Sequence, residues 1–312
     1  MIAGRDRDNS AMTRQPTLRQ LALLVSLHTH LHFGKAARAS FVSQSTFSLA
    51  IKELESQLGA TLVDRTSRKV LFTSFGQEVV EQARVVLREA DRLVEIASRG
   101  KEPFTGRLRL GVIPTIAPFV LPAILPDVRR RWPKLELSIR EDLTRRLHDE
   151  LLDGQLDLIL IALPFDLKGA DTLSLFKDRF LLAYRKGTRL FDPGNYDEET
   201  LPDNSILLLE DGHCLRNHAL SACSVKHIEK ISPYSASSLY TLVQMVNNDL
   251  GITFVPELAH ARGLLARTRV ETMEMPRSAY REIGFAWLKG TVRADEYRAF
   301  SELFVKLGAE GR

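Results

Sequence analysis

Apolar residues at positions 18, 21, 24, 25, 27 and 31 recur with a helical period, which predicts a first helix over 18–31. Phe33, Ala36 and Ala37 begin a second, short helix, and Phe41-Val42 reads as a tight connection. Ser43 then suits the N-cap of a third helix running to about Leu58, with Gly59 to end it. Two helices joined by a short turn, with small Ala residues where they would cross, form a helix-turn-helix pattern. LVDRTSRKVLFT (62–73) follows and reads as two short strands around a basic turn. Over 76–100 the residues Val79, Ala83, Val86, Ala90, Leu93 and Ala97 alternate steps of four and three, an a/d seam that Val80, Leu87 and Val94 widen. A helix with such a stripe must cover it, and pairing with the same helix of a second chain is expected over packing on its own domain, because the sequence on either side turns quickly into other modules.

From Arg107 onward strands and helices alternate. RLRLGVI, LELSIRE, FLLAYRKG, SILLL, GITFVP and IGFAWLKG read as strands with helical patterns between them, and LDLILIAL is a continuous apolar run, as a buried parallel strand requires. This is an α/β architecture. The chain is expected to leave one subdomain after Leu163, build a second, and return near Ile283. Ligand sites in such folds lie at the carboxyl ends of strands and between subdomains, where VIPTIAP places Thr115.

Length and charge sharpen this picture. The 312 residues are enough for two domains. Between Thr17 and Gly76 seven basic residues (Arg19, Lys35, Arg38, Lys52, Arg65, Arg68, Lys69) face three acidic ones (Glu53, Glu55, Asp64), so this fifth of the chain carries the equivalent of the whole net charge of +4. A basic end module points to a polyanionic partner. The third helix has the composition for reading DNA. Gln44, Ser45, Thr46 and Ser48 can reach base edges and phosphates, Gln can pair in bidentate fashion with adenine, and Lys52 can touch the backbone. Arg65, Arg68 and Lys69 suit phosphate contact or entry into the minor groove. No apolar run approaches the ~18 residues of a membrane helix, and residues 1–16 carry charge without an apolar segment. They read as a disordered extension of a cytoplasmic protein with no membrane partner.

The only two cysteines, Cys214 and Cys223, lie nine positions apart in LLLEDGHCLRNHALSAC (207–223). Four readings compete: inert core thiols, a structural disulfide, half of a metal site, or a redox pair. Their polar, His-rich surroundings weigh against the first, and a cytosolic location against the second. Cys214 and His218, like Cys223 and His227, stand four apart, but only four residues separate the pairs, closer than zinc ligand pairs usually stand. No nucleotide loop, CxxC motif or carboxylate pair marked by spacing points to an enzyme.

AARASFVSQSTFSLAIKELESQLGATLVDRT, with the seam helix and the α/β body, resembles the LysR-type transcriptional regulators over about residues 17–305. Ser45 stands where many members carry Pro. Within that family TSRKVLFT, VIPTIAP, EDGHCLR with a second Cys nine residues on, SSLYTLVQMV, GITFVP and REIGFAW are similar to the hydrogen-peroxide-sensing OxyR branch. The resemblance implies a winged helix-turn-helix over 17–75, a linker and dimerisation helix over 76–100, and a regulatory domain over 101–312. That domain would hold two Rossmann-like subdomains, as in periplasmic binding proteins, at about 106–163 with 281–308 and at about 164–280. Cys214 would be the peroxidatic thiol, Cys223 the resolving one, and Thr115, Thr144, His213 and Arg281 the groups that hold peroxide or activate the thiol. His213, Arg216 and Arg281 are the candidate positive or hydrogen-bonding partners of the sulfur.

The implied product is a Cys214 sulfenic acid that condenses to a disulfide. If a helix held Cys223 at its far end, closure would exceed the ~7 Å Cα limit and force 214–223 to refold. The implied partners are double-stranded promoter DNA, hydrogen peroxide, further copies of the chain in a dimer of dimers, a dithiol reductant and RNA polymerase, with no cofactor and no metal. His218, where Gln is familiar, and NNDLGIT (247–253) depart from the branch. The other reading within the family is a regulator that takes a small metabolite between its subdomains.

Overall fold

The structure is a computed structural model describing residues 15–64, 70–97, 103–193 and 196–310. The extension expected over 1–16 therefore lies almost wholly outside the described residues. The chain divides between residues 99 and 100 into two compact units.

In the first unit Thr17 and Gln20 form a reciprocal capping box that starts α1 (Leu18–His30). His32 caps α2 (Phe33–Ala39), its Nδ1 accepting from the Gly34 and Lys35 amides. The Ser43 hydroxyl caps α3 (Gln44–Leu58) by accepting from the Thr46 amide, and Gly59 ends it in the left-handed region at φ +66°. Phe47, Ile51 and Leu54 of α3 are fully buried with Leu24, Leu27, Ala36 and Ala37. The small Ala residues let the helices meet closely. The wing is β1 (Val63–Asp64) paired antiparallel with β2 (Leu71–Phe72).

The long helix α4 (Ser74–Ala97) divides the function of its stripe. Val80 and Ala83 are buried and Val79 and Leu87 half-buried in the core of this unit, where α4 packs on α1. Val86 and Leu93 are exposed, Leu93 by 68%. The beginning of the seam thus covers the first unit itself, and Val86 and Leu93 are open to a second chain.

The second unit is built on one mixed sheet. β3 (Gly106–Val112) lies parallel to β4 (Leu135–Glu141) and β5 (Leu158–Leu163). Both connections run through helices, α5 (Ala117–Arg131) and α6 (Thr144–Leu152). β11 (Tyr280–Leu288) returns antiparallel to β5, carrying the chain's C-terminal part back beside its start. The longest strand, β6 (Ala170–Arg185), is about twice the length of the apolar segment that the sequence marks. Its residues 170–179 pair with β11, and 180–185 pair with β9 (Thr253–Pro256) and β10 (Val270–Glu274). One strand therefore threads both halves of the unit. A second, small parallel pair joins β7 (Ile206–Leu209) to β8 (Ile231–Ala236). α7 (Cys214–Ala222) links β7 to β8, and α8 (Leu239–Asn247) and α9 (Glu257–Ala261) follow. α10 (Ala294–Glu310) packs against β6 and α5.

Gly76, in the first turn of α4, lies so close to the Leu62 carbonyl that an added Cβ would strike backbone oxygen. Gly76→Ala is expected to cost about 2 kcal/mol. In calorimetry the first unit would then melt roughly 10 °C lower, with the second unit's transition in place. An unshifted first transition would show that the α4–wing approach yields freely.

Candidate functional site

Three strand ends build one pocket. β3 ends at Val112 and the chain turns through Ile113, Pro114 and Thr115 into α5. β4 ends at Glu141, and Thr144 is the first residue of α6. β7 ends at Leu209, and Cys214 is the first residue of α7. Ile113, Pro114, Thr115, Leu143, Thr144, Gly212, His213 and Cys214 line a pocket of about 170 Å³, part of it open to solvent. None of the three helices has a side-chain N-cap. Backbone carbonyls serve part of these ends instead: in α5 the Ala117 and Phe119 amides donate to the Ile113 and Ile116 carbonyls and Pro118 has no amide proton, and in α7 the Arg216 amide donates to the His213 carbonyl.

One threonine hydroxyl reaches the sulfur, and another is tied to a buried arginine. The Thr144 hydroxyl donates to Cys214 Sγ at 3.5 Å. Thr115 Oγ1 accepts from Arg281 Nη1 at 2.9 Å, and the Thr115 carbonyl accepts from Nη2 at 3.1 Å. Since Thr115 oxygen is held as an acceptor, its own hydroxyl proton is free to be donated. Arg281 is 1% exposed and pairs with Asp178, which stands directly opposite it on β6. Its Nε donates to Asp178 Oδ2 at 3.0 Å and its Nη2 lies 2.9 Å from the same oxygen. Asp178 Oδ1 accepts from the Leu258 amide of α9 at 2.9 Å. Burial pushes the Asp178 carboxyl up, while Arg281 and the Leu258 amide pull it down. This buried cluster ties the end of β3 to the place where β6 passes from one half of the unit to the other.

The expected positive partners of Cys214 therefore act differently. Arg281 reaches the pocket through Thr115, with its charge matched by Asp178. Burial holds His213 below the ordinary imidazole range, with Glu210 opposing, so the ring is neutral at neutral pH. Arg216 pairs with Asp211 at 3.1 Å and donates to the Leu209 carbonyl, which makes it a brace for the turn. Burial likewise lowers His218, and its Nε2 lies 3.2 Å from the Pro164 carbonyl.

Cys223 is the C-cap of α7, at the end opposite Cys214. At ~1.5 Å rise per residue the two Cα atoms stand about 13 Å apart, far beyond the ~7 Å that a disulfide spans. Both thiols are free. Burial pushes the Cys223 thiol up to about 12, so it is protonated at neutral pH and a poor nucleophile where it sits. Among the described residues no three His, Cys, Asp or Glu side chains gather as a metal site. No described helix is long and apolar enough to cross a membrane.

On α3, Gln44, Ser45, Thr46 and Lys52 are exposed and Ser48 is half-buried. Ser43 Oγ lies 2.9 Å from Ser45 Oγ and 2.8 Å from Thr46 Oγ1, which orders the first turn. Arg65, Arg68 and Lys69 lie outside the described residues. Asp178 is the group that sequence reasoning missed. Its partner is 103 residues away, and nothing local to FKDRF marks it.

Residues 18–77 match the bacterial regulatory helix-turn-helix protein, lysR family, and residues 101–309 match the LysR substrate binding domain. The HTH-type transcriptional regulator EstR of Acinetobacter baylyi is 43% identical over 251 residues, covering 80% of this chain and 82% of that protein. A probable hydrogen peroxide-inducible genes activator of Streptomyces viridosporus is 40% identical over 286 residues, covering 91% and 92%. Full-length OxyR of Pseudomonas aeruginosa, solved as a single-substitution variant, superposes with a TM-score of 0.72 at 33% identity, covering 94% of each chain.

Asp178→Ala would leave the Arg281 guanidinium buried without its carboxylate, at a cost of about 3–5 kcal/mol in urea unfolding. Pairing Asp178→Leu with Arg281→Met is expected to recover much of that loss. A single variant within 1 kcal/mol or so of the parent would mean that the pair is not the tie described.

Proposed function

The chain belongs to the LysR-type transcriptional regulators, a family of DNA-binding proteins rather than enzymes, and from that premise we propose that it is a hydrogen peroxide sensor whose switch is α7. The observation that carries this reading is the placement of the only two thiols at opposite ends of one helix, with Cys214 alone in the pocket. The Cys214 thiolate attacks one peroxide oxygen, the O–O bond breaks, and the leaving hydroxide takes a proton to become water. Thr144 holds the sulfur and the free Thr115 proton serves the oxidant. Cys223 then attacks the sulfur of the Cys214 sulfenic acid, a second water leaves, and a disulfide forms. Closure requires α7 to unwind, which also brings Cys223 out of the surroundings that keep it protonated. A dithiol reductant resets the protein.

The refolded segment is a two-state element of the kind that changes subunit geometry. In this reading the output is altered promoter binding by a homo-oligomer, a dimer of dimers, acting on antioxidant genes with RNA polymerase. Gln44, Ser45, Thr46, Ser48 and Lys52, with Arg65, Arg68 and Lys69, contact the DNA. The exposed end of the α4 stripe, with Val86 and Leu93, supports self-association.

Peptide mapping of reduced protein after one equivalent of peroxide is expected to show rapid loss of two hydrogens in a 214–223 bridge. Cys214→Ser is expected to abolish the response, and Cys223→Ser to stop at sulfenic acid. Thiols unmodified after minutes would overturn the reading and turn the search to a small ligand. For self-association, Leu93→Asp is expected to sediment as a smaller species, and an unaltered oligomer would remove α4 from the interface.

A further inference from the structure

If α7 must unwind for the thiols to meet, whatever anchors its far end sets how readily it does so. Beyond Cys223 the chain turns through Ser224, at φ +55°, and Val225, whose amide donates back to Leu220. The next two amides leave the helix altogether. Lys226 N and His227 N both donate to Glu198 Oε1, at 2.8 and 2.9 Å. Glu198 belongs to a one-turn 3-10 segment, Glu198–Thr200, that Asp197 caps. Just before it Tyr196 packs with Phe191 at 5.7 Å between ring centroids, and Tyr196 and Cys223 both pack on the core cluster. One carboxylate oxygen thus takes two consecutive backbone amides three and four residues past Cys223, from a part of the chain that belongs neither to the pocket nor to α7.

The effect on reach follows from chain length. With both amides held, only Ser224 and Val225 lie between Cys223 and the anchor. With them released, slack extends toward the Asn204–Glu229 backbone bond and the start of β8 at Ile231. Each added residue gives up to ~3.5 Å of extension, and the thiols must close by at least ~6 Å. Charge-assisted bonds to a carboxylate are stronger than amide–carbonyl bonds, so the anchor is a substantial part of what must open.

We propose that Glu198 is a positioning residue for the disulfide-forming step: it clamps the segment after Cys223 and holds the resolving thiol back until the clamp opens. The inference rests on the peroxide-sensing reading, and it goes beyond it by assigning the rate of the second step to a residue outside the pocket. The chemistry is balanced by peroxide as the oxidant: two thiols and one hydrogen peroxide give one disulfide and two waters.

The test is rapid-mixing kinetics on the full chain, with sulfenic acid trapped by a dimedone probe and disulfide read by quenched mass analysis. Glu198→Ala is expected to close the bridge roughly tenfold faster than the parent, with the peroxide-dependent first step unchanged. Glu198→Gln keeps an acceptor oxygen without the charge, folds on the same contacts, and is expected to fall between the two. The clamp stabilises the dithiol form, so its loss also makes the disulfide harder to reduce, by about 30 mV toward negative potential for a tenfold change. A bridge that closes at the parental rate in both variants would overturn the proposal, as would a slower one. A parent protein that forms no bridge would instead overturn the peroxide-sensing reading itself.

Discussion

A single α-helix keeps the two thiols apart. Nine residues of α7 place Cys214 and Cys223 about 13 Å from one another, and no side-chain rotation closes that gap. A bond between the two thiols would therefore require a different conformation of the same segment. The helix is short, with only Leu215 and Ala219 fully buried. Two polar side chains along it add to this core. Arg216 braces the turn before it and His218 reaches the Pro164 carbonyl. Short elements with few fully buried apolar residues open locally at lower cost than core strands do.

The pocket at the start of α7 rests on a rigid support. Arg281 and Asp178 are fully enclosed, paired across β11 and β6, and joined to Thr115 on one side and to Leu258 on the other. This arrangement spares the pocket a free cation. It also holds the Thr115 hydroxyl oxygen as an acceptor of Arg281, which leaves the hydroxyl proton to point elsewhere. One side of the pocket is thereby fixed by buried electrostatics, and the other sits on the first turn of α7.

Much of this was legible in the sequence, and the parts that were not have a common cause. Ser43 and Gly59 mark both ends of α3 because caps are local chemistry. LDLILIAL announces a buried strand because both faces of β5 are covered. The cysteine pair is visible because the chain has no others. Three features needed the fold. β6 reads as a strand only from Phe180, since 170–179 carries polar residues on an outer face. The α4 stripe looks uniform, yet its beginning is covered by α1. Asp178 and Glu198 take their roles from partners far along the chain, and register between distant strands leaves no local trace. Arg281 likewise meets Thr115 from 166 residues away.

The central claim is that oxidation is transmitted by unwinding α7 while the sheet beneath it stays intact. Amide hydrogen exchange on the full-length protein, read by mass spectrometry before and after one equivalent of peroxide, tests it most directly. The account predicts that peptides covering 214–223 lose protection once the bridge forms, while those covering β3, β5 and β11 keep theirs. A mapped 214–223 disulfide with α7 still protected would contradict it.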